Sequence, residues 1–464
     1  MERKNAWEKY PAGKKRDEVM NYAEGYKDFI SKCKSERECT SYIKALAEKD
    51  GFKDLEEIIK SNGTLKAGDR VYRVNRDKAI ALFVIGSEPI ENGVRILGAH
   101  IDSPRMDLKQ NPLYEDTDMA FLDTHYYGGI KKYQWVALPL ALHGVIAKKD
   151  GTVVNVNIGD DKDDPVFGVS DLLIHLAADQ MKKDGAKVVE GEALNVLIGS
   201  LPLEKATEDE KKKELVKENI LAILKEKYDI EEEDFLSAEI VVVPAGDARD
   251  YGFDRSMIMG YGHDDRVCAY PSYTALRDVK AGKQTYACLL VDKEEVGSIG
   301  ATGMQSNFYE DTVAEIANLL GETNFMTVRR AMRNSKALSS DVSAAFDPNY
   351  PEVMEKKNSA YFGRGLVFNK YTGSRGKGGS NDASAEYMAE VRKIMDSDNV
   401  SFQTAELGKV DQGGGGTIAY ILGNYGMDVI DSGVAVLNMH APWEIISKVD
   451  LYEAHRGYMA FLNA

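Results

Sequence analysis

The stretch QTYACLLVDKEEVGS, residues 284–298, passes from an apolar run into an aspartate, a lysine and two glutamates. TYACLLV reads as a strand, short and bounded by polar and turn-forming residues. Its charged tail then lies where the strand leaves the sheet. Two adjacent glutamates on an extended segment point in opposite directions, so of Glu294 and Glu295 one is placed to ligate a metal and the other to reach an attacking water. A charged strand end with no further role is the plain alternative.

The same event recurs along the chain. GVRILGAHID (93–102) ends on His100 and Asp102, KALSSDVSAAF (336–346) carries Asp341 after its apolar start, and GVAVLNMHAP (433–442) ends on His440. GHDDR (262–266) places Asp264 and Asp265 at another point where an apolar strand runs out. Taken singly each signal has an ordinary reading. A DD dipeptide is commonly a solvated turn, and His440 is either a buried structural histidine or a ligand. The HxD spacing of His100 and Asp102 lets the carboxylate hold the far ring nitrogen of a ligating imidazole, the usual support of a metal histidine. Five such sites at the ends of five strands are not explained as separate accidents.

Strands and helices alternate around these points. RVYRV (70–74) and AIALFVIG (79–86) precede His100, and helices are expected near 270–279 and 311–320. Two or more amphipathic helices are expected in residues 17–59, where YAEGYKDFISKC and SYIKALAEKDGF carry apolar residues at helical spacing. This pattern predicts an α/β fold with a mostly parallel sheet flanked by helices. In such sheets ligands bind beyond the carboxyl ends of the strands. Between residues 103 and 244 the texture changes. GTVVNVNIG and ALNVLIGSLP read as strands, and LEKATEDEKKKELVKENILAILKEKY (203–228) as an exposed helix. We expect two domains, residues 1–102 with 245–464, interrupted by an inserted domain at 103–244.

Composition narrows the function. With 464 residues, 43% hydrophobic and 29% charged, the chain has ample apolar material for cores. A formal net charge of −16 argues against nucleic acid, which requires a concentrated positive face. Four cysteines without a CxxC pair fit a reducing cytoplasm. The charged N-terminus has no signal-peptide core. The longest apolar stretch, 136–147, falls short of the roughly 20 residues of a membrane span. GSRGKGGS (373–380) is not a phosphate loop, since Gly378 follows the lysine where Ser or Thr is needed. The glycine run 413–416 either lets the backbone approach a peptide or forms a flexible loop.

The ordered set GAHIDSP, GHDDR, DKEEVGSIGATG, SSDVSAAFDPNY and MHAPWE resembles that of the aspartyl aminopeptidase family of metallopeptidases, over nearly the whole chain. The resemblance implies a zinc-exopeptidase-type catalytic domain with a smaller, β-rich inserted dimerisation domain, and a dodecamer built from dimers. It implies His100, Asp264, Glu295, Asp341 and His440 as ligands of two divalent metal ions, with Asp264 bridging both. Glu294 becomes the general base and Asp102 the orienter of His100. Three carboxylates and two imidazoles suit zinc best, then cobalt or manganese. A histidine from the inserted domain of a neighbouring subunit enters the active site in this family, and DLLIHLA nominates His175, whose local reading is a helix-face histidine near a dimer contact. The expected activity is release of N-terminal amino acids from peptides with a free amine, in the cytoplasm. Ala345 and Asp347 stand near positions where family members have histidines, which leaves the preferred first residue open between acidic and neutral. The competing readings are a related carboxypeptidase or deacylase, and an inactive scaffold.

Overall fold

In a computed structural model the described residues are 4–204 and 214–464. They form two compact units, one of Met1–Ser103, Ala248–Met439 and Glu444–Ala464, the other of Pro104–Asp247 and His440–Trp443.

The first unit is organised by a nine-stranded sheet in the order Lys53–Asp54, Arg70–Asn75, Ala79–Val84, Thr285–Val291, Val94–His100, Lys336–Ser340, Asp428–Gly433, Leu366–Asn369 and Phe402–Thr404. Its centre is parallel: Thr285–Val291, Val94–His100, Lys336–Ser340 and Asp428–Gly433 run side by side in one direction. Ala79–Val84 and Leu366–Asn369 flank them antiparallel, so the sheet is mixed with a parallel middle. Strands with helices on both faces must be apolar at every position. Val94–His100 and Thr285–Val291 are accordingly buried throughout.

Alternation sorts the side chains into two cores. Leu97, Ala99, Cys288 and Leu290 face one, with Tyr26 and Phe29 of helix Lys14–Lys32 and Val267 of helix His263–Asp278. Ile96, Leu289 and Val291 face the other, with Tyr309, Val313 and Ile316 of helix Phe308–Leu319 and with Ile418. The expected N-terminal helices are Lys14–Lys32, Glu36–Lys49 and Leu55–Lys60. The second starts on a capping box, Ser35 accepting from the Glu38 N–H while the Glu38 side chain accepts from the Ser35 N–H. The helix expected from residue 270 reaches back to His263, although Asp264 and Asp265 within that first turn are not helical. A small sheet of Arg249–Tyr251, Met257–Gly260, Glu444–Ser447, Ala435–Leu437 and Ser343–Ala344 completes the unit. All four cysteines are buried and unpaired.

The second unit is built on a six-stranded antiparallel sheet, in the order Val153–Ile158, Leu140–Ala147, Ala238–Pro244, Arg105–Asp116, Met119–Tyr127 and Val196–Gly199. Trp135, Leu140, Val196 and Val242 are buried in it. Of the helix expected over 203–228, Leu215–Tyr228 is helical; residues 205–213 lie outside the described residues. No helix among the described residues is long and apolar enough to cross a membrane.

Candidate metal centre and active site

Three neighbouring parallel strands deliver the chemistry to one edge of the large sheet. His100 is the last residue of Val94–His100 and pairs with Val291. Asp341 follows Lys336–Ser340, whose Ser339 pairs with Gly98. Glu294 and Glu295 come just after Thr285–Val291, and Asp264 opens the helix His263–Asp278. Two sets of ligand atoms lie within 4.8 Å of one another: His100, Asp264 and Glu295, and His100, Asp265 and Asp341. His100 Nε2 is 3.2 Å from Asp264 Oδ1, 3.8 Å from Asp341 Oδ1 and 3.9 Å from Glu294 Oε2.

Asp102 ties this edge together. It is fully buried, its Oδ1 is 3.3 Å from His100 Nδ1, and its backbone carbonyl accepts from the same nitrogen at 3.0 Å. Its two carboxylate oxygens also accept the backbone N–H groups of Glu294 and Glu295, each at 3.2 Å. One side chain thereby sets the imidazole tautomer, leaving Nε2 toward the acids, and fixes the turn that carries both glutamates.

That turn corrects the extended segment expected from the sequence. Lys293 has φ 72°, which ends the strand, and Glu294–Val296 is a single 3-10 turn. The loop is closed at its neck by Asp292, which accepts from the Lys293 N–H at 2.8 Å and from Thr302 Oγ1 at 2.6 Å. Burial pushes the Asp292 carboxyl up to about 7. Asp264 is held at both of its peptide groups: its N–H donates to Glu444 Oε2 at 3.0 Å, and its carbonyl accepts from Ser103 Oγ at 2.6 Å. The peptide between Asp264 and Asp265 is cis.

Six carboxylates around one imidazole leave a large negative charge out of water, which is costly without cations. Burial raises Glu294 to about 8, and it raises Asp341 and, further, Asp265. His100 is held well above its ordinary value because hydrogen bonds to Asp102, Asp264 and Asp341 outweigh burial, the largest single influence, which lowers it. Asp265 Oδ1 is buried with no hydrogen-bond partner among the described residues, and its Oδ2 accepts from the His100 N–H at 3.3 Å. A donor set of carboxylate oxygens and imidazole, with a buried acceptor lacking a donor, fits divalent metal binding.

The other two residues singled out in the sequence belong to the second unit, and neither enters the two ligand groups. His440 Nδ1 donates to the Gly129 carbonyl at 2.8 Å. His175 sits on the exposed 3-10 turn Ile174–Leu176 rather than on a helix face, between side chains that are each 68% exposed. Sequence reasoning gave no role to Asp265, Glu444 or Ser103. The first was masked by its neighbour in the DD pair, and the other two act on backbone groups far away in sequence.

The chain's matches agree with one another. A family model described as "Aminopeptidase I zinc metalloprotease (M18)" matches residues 29–462. A protein of Clostridium acetobutylicum described as a probable M18 family aminopeptidase 1 is 64% identical over 462 residues, covering 100% of this chain and 98% of its own. The crystal structure of aminopeptidase I from the same organism superposes with a TM-score of 0.93 at 62% identity, over 100% of both chains. That of an M18-family aminopeptidase from Thermotoga maritima gives a TM-score of 0.94 at 43% identity, over 100% of this chain and 99% of the other.

Proposed function

The chain belongs to the aminopeptidase I zinc metalloprotease (M18) family and is a metal-dependent aminopeptidase; from that premise we propose that its reaction centre is the acidic edge around His100. The observation that carries this is the shared anchor, Asp102, which holds His100 and the N–H groups of Glu294 and Glu295 together. We assign His100, Asp264, Glu295, Asp341 and His440 as the residues that would hold two divalent ions. His440 enters on the likeness of MHAPWE to the family. Two zinc ions there would lower the pKa of a water and polarise the scissile carbonyl.

Glu294 accepts the proton of the attacking water and returns it to the leaving amine. One positioned carboxylate can make both transfers, and Glu294 stands at this edge with its Oε2 3.9 Å from His100 Nε2. Asp102 keeps the base and the imidazole in register while it does so. The negative charge of this acidic edge suits the free amine of the substrate, so that a blocked amine loses that attraction. Whether the first residue is acidic or neutral is set elsewhere in the pocket.

The inserted unit is proposed as a dimerisation domain at about residues 103–244, and His175 as its contribution to a neighbouring active site. The apolar side chains of Leu172, Leu173, Ile174 and Leu176, all exposed around His175, support a surface that another copy covers. A yeast structure sharing the fold at 21% identity is described as a dodecamer, and we carry that assembly over as a proposal. Sparse, unpaired cysteines support a cytoplasmic location.

The test is hydrolysis of unblocked and N-acetylated dipeptides and aminoacyl amides by zinc-loaded protein, with chelated protein as control. Cleavage of free-amine substrates alone, lost on chelation, is expected. Cleavage of blocked substrates with free C-termini would move the assignment to a carboxypeptidase or deacylase, and silence with metal bound would favour a scaffold.

A further inference from the structure

The tetraglycine segment 413–416 is fastened to the sheet by a buried acid that takes no part in the proposed ligand set. Asp431 lies in strand Asp428–Gly433, 2% exposed, opposite Ser339 on one side and Asn369 on the other. Its Oδ1 accepts from Thr417 Oγ1 at 2.6 Å, and the Thr417 oxygen in turn accepts the Ala419 N–H at 3.3 Å. Burial raises the Asp431 carboxyl to about 7.

Strand geometry says which face this is. Ser339 pairs with both Asp431 and Gly98, and residues two apart on a strand share a face. His100 is two beyond Gly98, and Asp341, whose N–H continues the ladder to the Ser432 carbonyl at 2.9 Å, is two beyond Ser339. Asp431 and Thr417 therefore stand on the face that carries His100 and Asp341. Ile418 confirms the placement: a Cβ on Gly98 would lie 3.0 Å from its Cδ1. At its other end the glycine segment is wedged between two further stretches. Gly415 N–H donates to the Thr372 carbonyl at 3.1 Å, and a Cβ on Gly414 would be 2.5 Å from Ser374 Cα.

We propose that Asp431 and Thr417 are positioning residues: their hydrogen bond pins the 413–416 backbone to the metal-bearing face, where it forms the wall against which the substrate's N-terminal residue is held. This deepens the function proposed above and rests on it. The bond joins two residues outside the proposed ligand set, so its loss changes substrate binding more than chemistry or metal content. Removing the threonine hydroxyl takes the donor from a buried Asp431 oxygen, which is why it is the informative atom to remove.

Thr417→Val, Thr417→Ser and Asp431→Ala would be compared with the parent enzyme, all zinc-loaded, on one good aminoacyl amide. The expected result is a KM raised about tenfold in Thr417→Val with kcat within about twofold, zinc content unchanged, and KM restored by Thr417→Ser. Asp431→Ala should show the same KM shift. An unchanged KM in a folded Thr417→Val protein, or a fall in kcat and zinc content together, overturns the proposal. Inactivity of the parent enzyme on every free-amine substrate overturns instead the aminopeptidase mechanism on which it rests.

Discussion

Glu294 and Glu295 are chemically identical neighbours, and what separates their roles is which atoms surround each. Glu295 joins His100 and Asp264 in a ligand group, while Glu294 stands 3.9 Å from the imidazole. Glu294→Gln should therefore keep its zinc but lose turnover by roughly 10²–10⁴-fold, the usual worth of a general base. His440→Ala should lose zinc as well; metal analysis beside kcat separates the two outcomes. Full activity in Glu294→Gln would remove the base assignment. At this scale the sequence was readable wherever a charged residue interrupts an apolar strand, as at His100, Glu294 and Asp341. It was silent on Glu444 and Ser103, because they hold Asp264 through backbone atoms and nothing in their own surroundings marks a partner more than 150 positions away.

Among elements, the parallel strands leave no room beside Asp341. A Cβ on Gly433 would lie 1.8 Å from the Asp341 carbonyl oxygen and 3.1 Å from Cys268 Sγ. Gly433→Ala must push strand Asp428–Gly433 away from Asp341, and we expect a loss of about 2 kcal/mol in stability with weaker zinc retention, read by thermal melting and metal analysis. Where helix Lys448–Asn463 packs on helix His263–Asp278, His455 Nδ1 meets Thr274 Oγ1 at 2.9 Å, and burial lowers its pKa to about 4. Its unfolded value is near 6.5. The unfolded chain thus binds the proton first, so stability contributed by the neutral ring is complete above about 6.5 and drains away as pH falls toward 4. His455→Gln should flatten that slope in denaturant titrations; an unaltered slope would mean other groups carry the acid sensitivity. The strands themselves were legible as apolar runs. The turn at Glu294 was not, since a left-handed lysine is imposed by the loop closing on Asp292 and Thr302 rather than by any local glycine.

For the whole molecule, the acidic edge makes metal a part of the fold's stability. Buried carboxylates that repel one another are relieved by bound cations, and a ligand present at 100 times its Kd stabilises the native state by about 2.7 kcal/mol. Chelation should lower the melting temperature and zinc should restore it; an unmoved melting point would place the ions outside the cluster. The sequence changes texture near residues 103 and 244, which is where the expectation of an insertion came from. The four-residue return of His440–Trp443 to the second unit leaves no compositional trace.

The order of strands also sets a timetable. Val94–His100 has as its two sheet neighbours Thr285–Val291 and Lys336–Ser340, both encoded after the inserted unit. During synthesis the His100 strand therefore waits with both edges open while the insertion is translated, for on the order of ten seconds at ribosomal rates. A growing chain therefore lacks Glu294, Glu295 and Asp341, and with them the proposed centre, until most of it has been made.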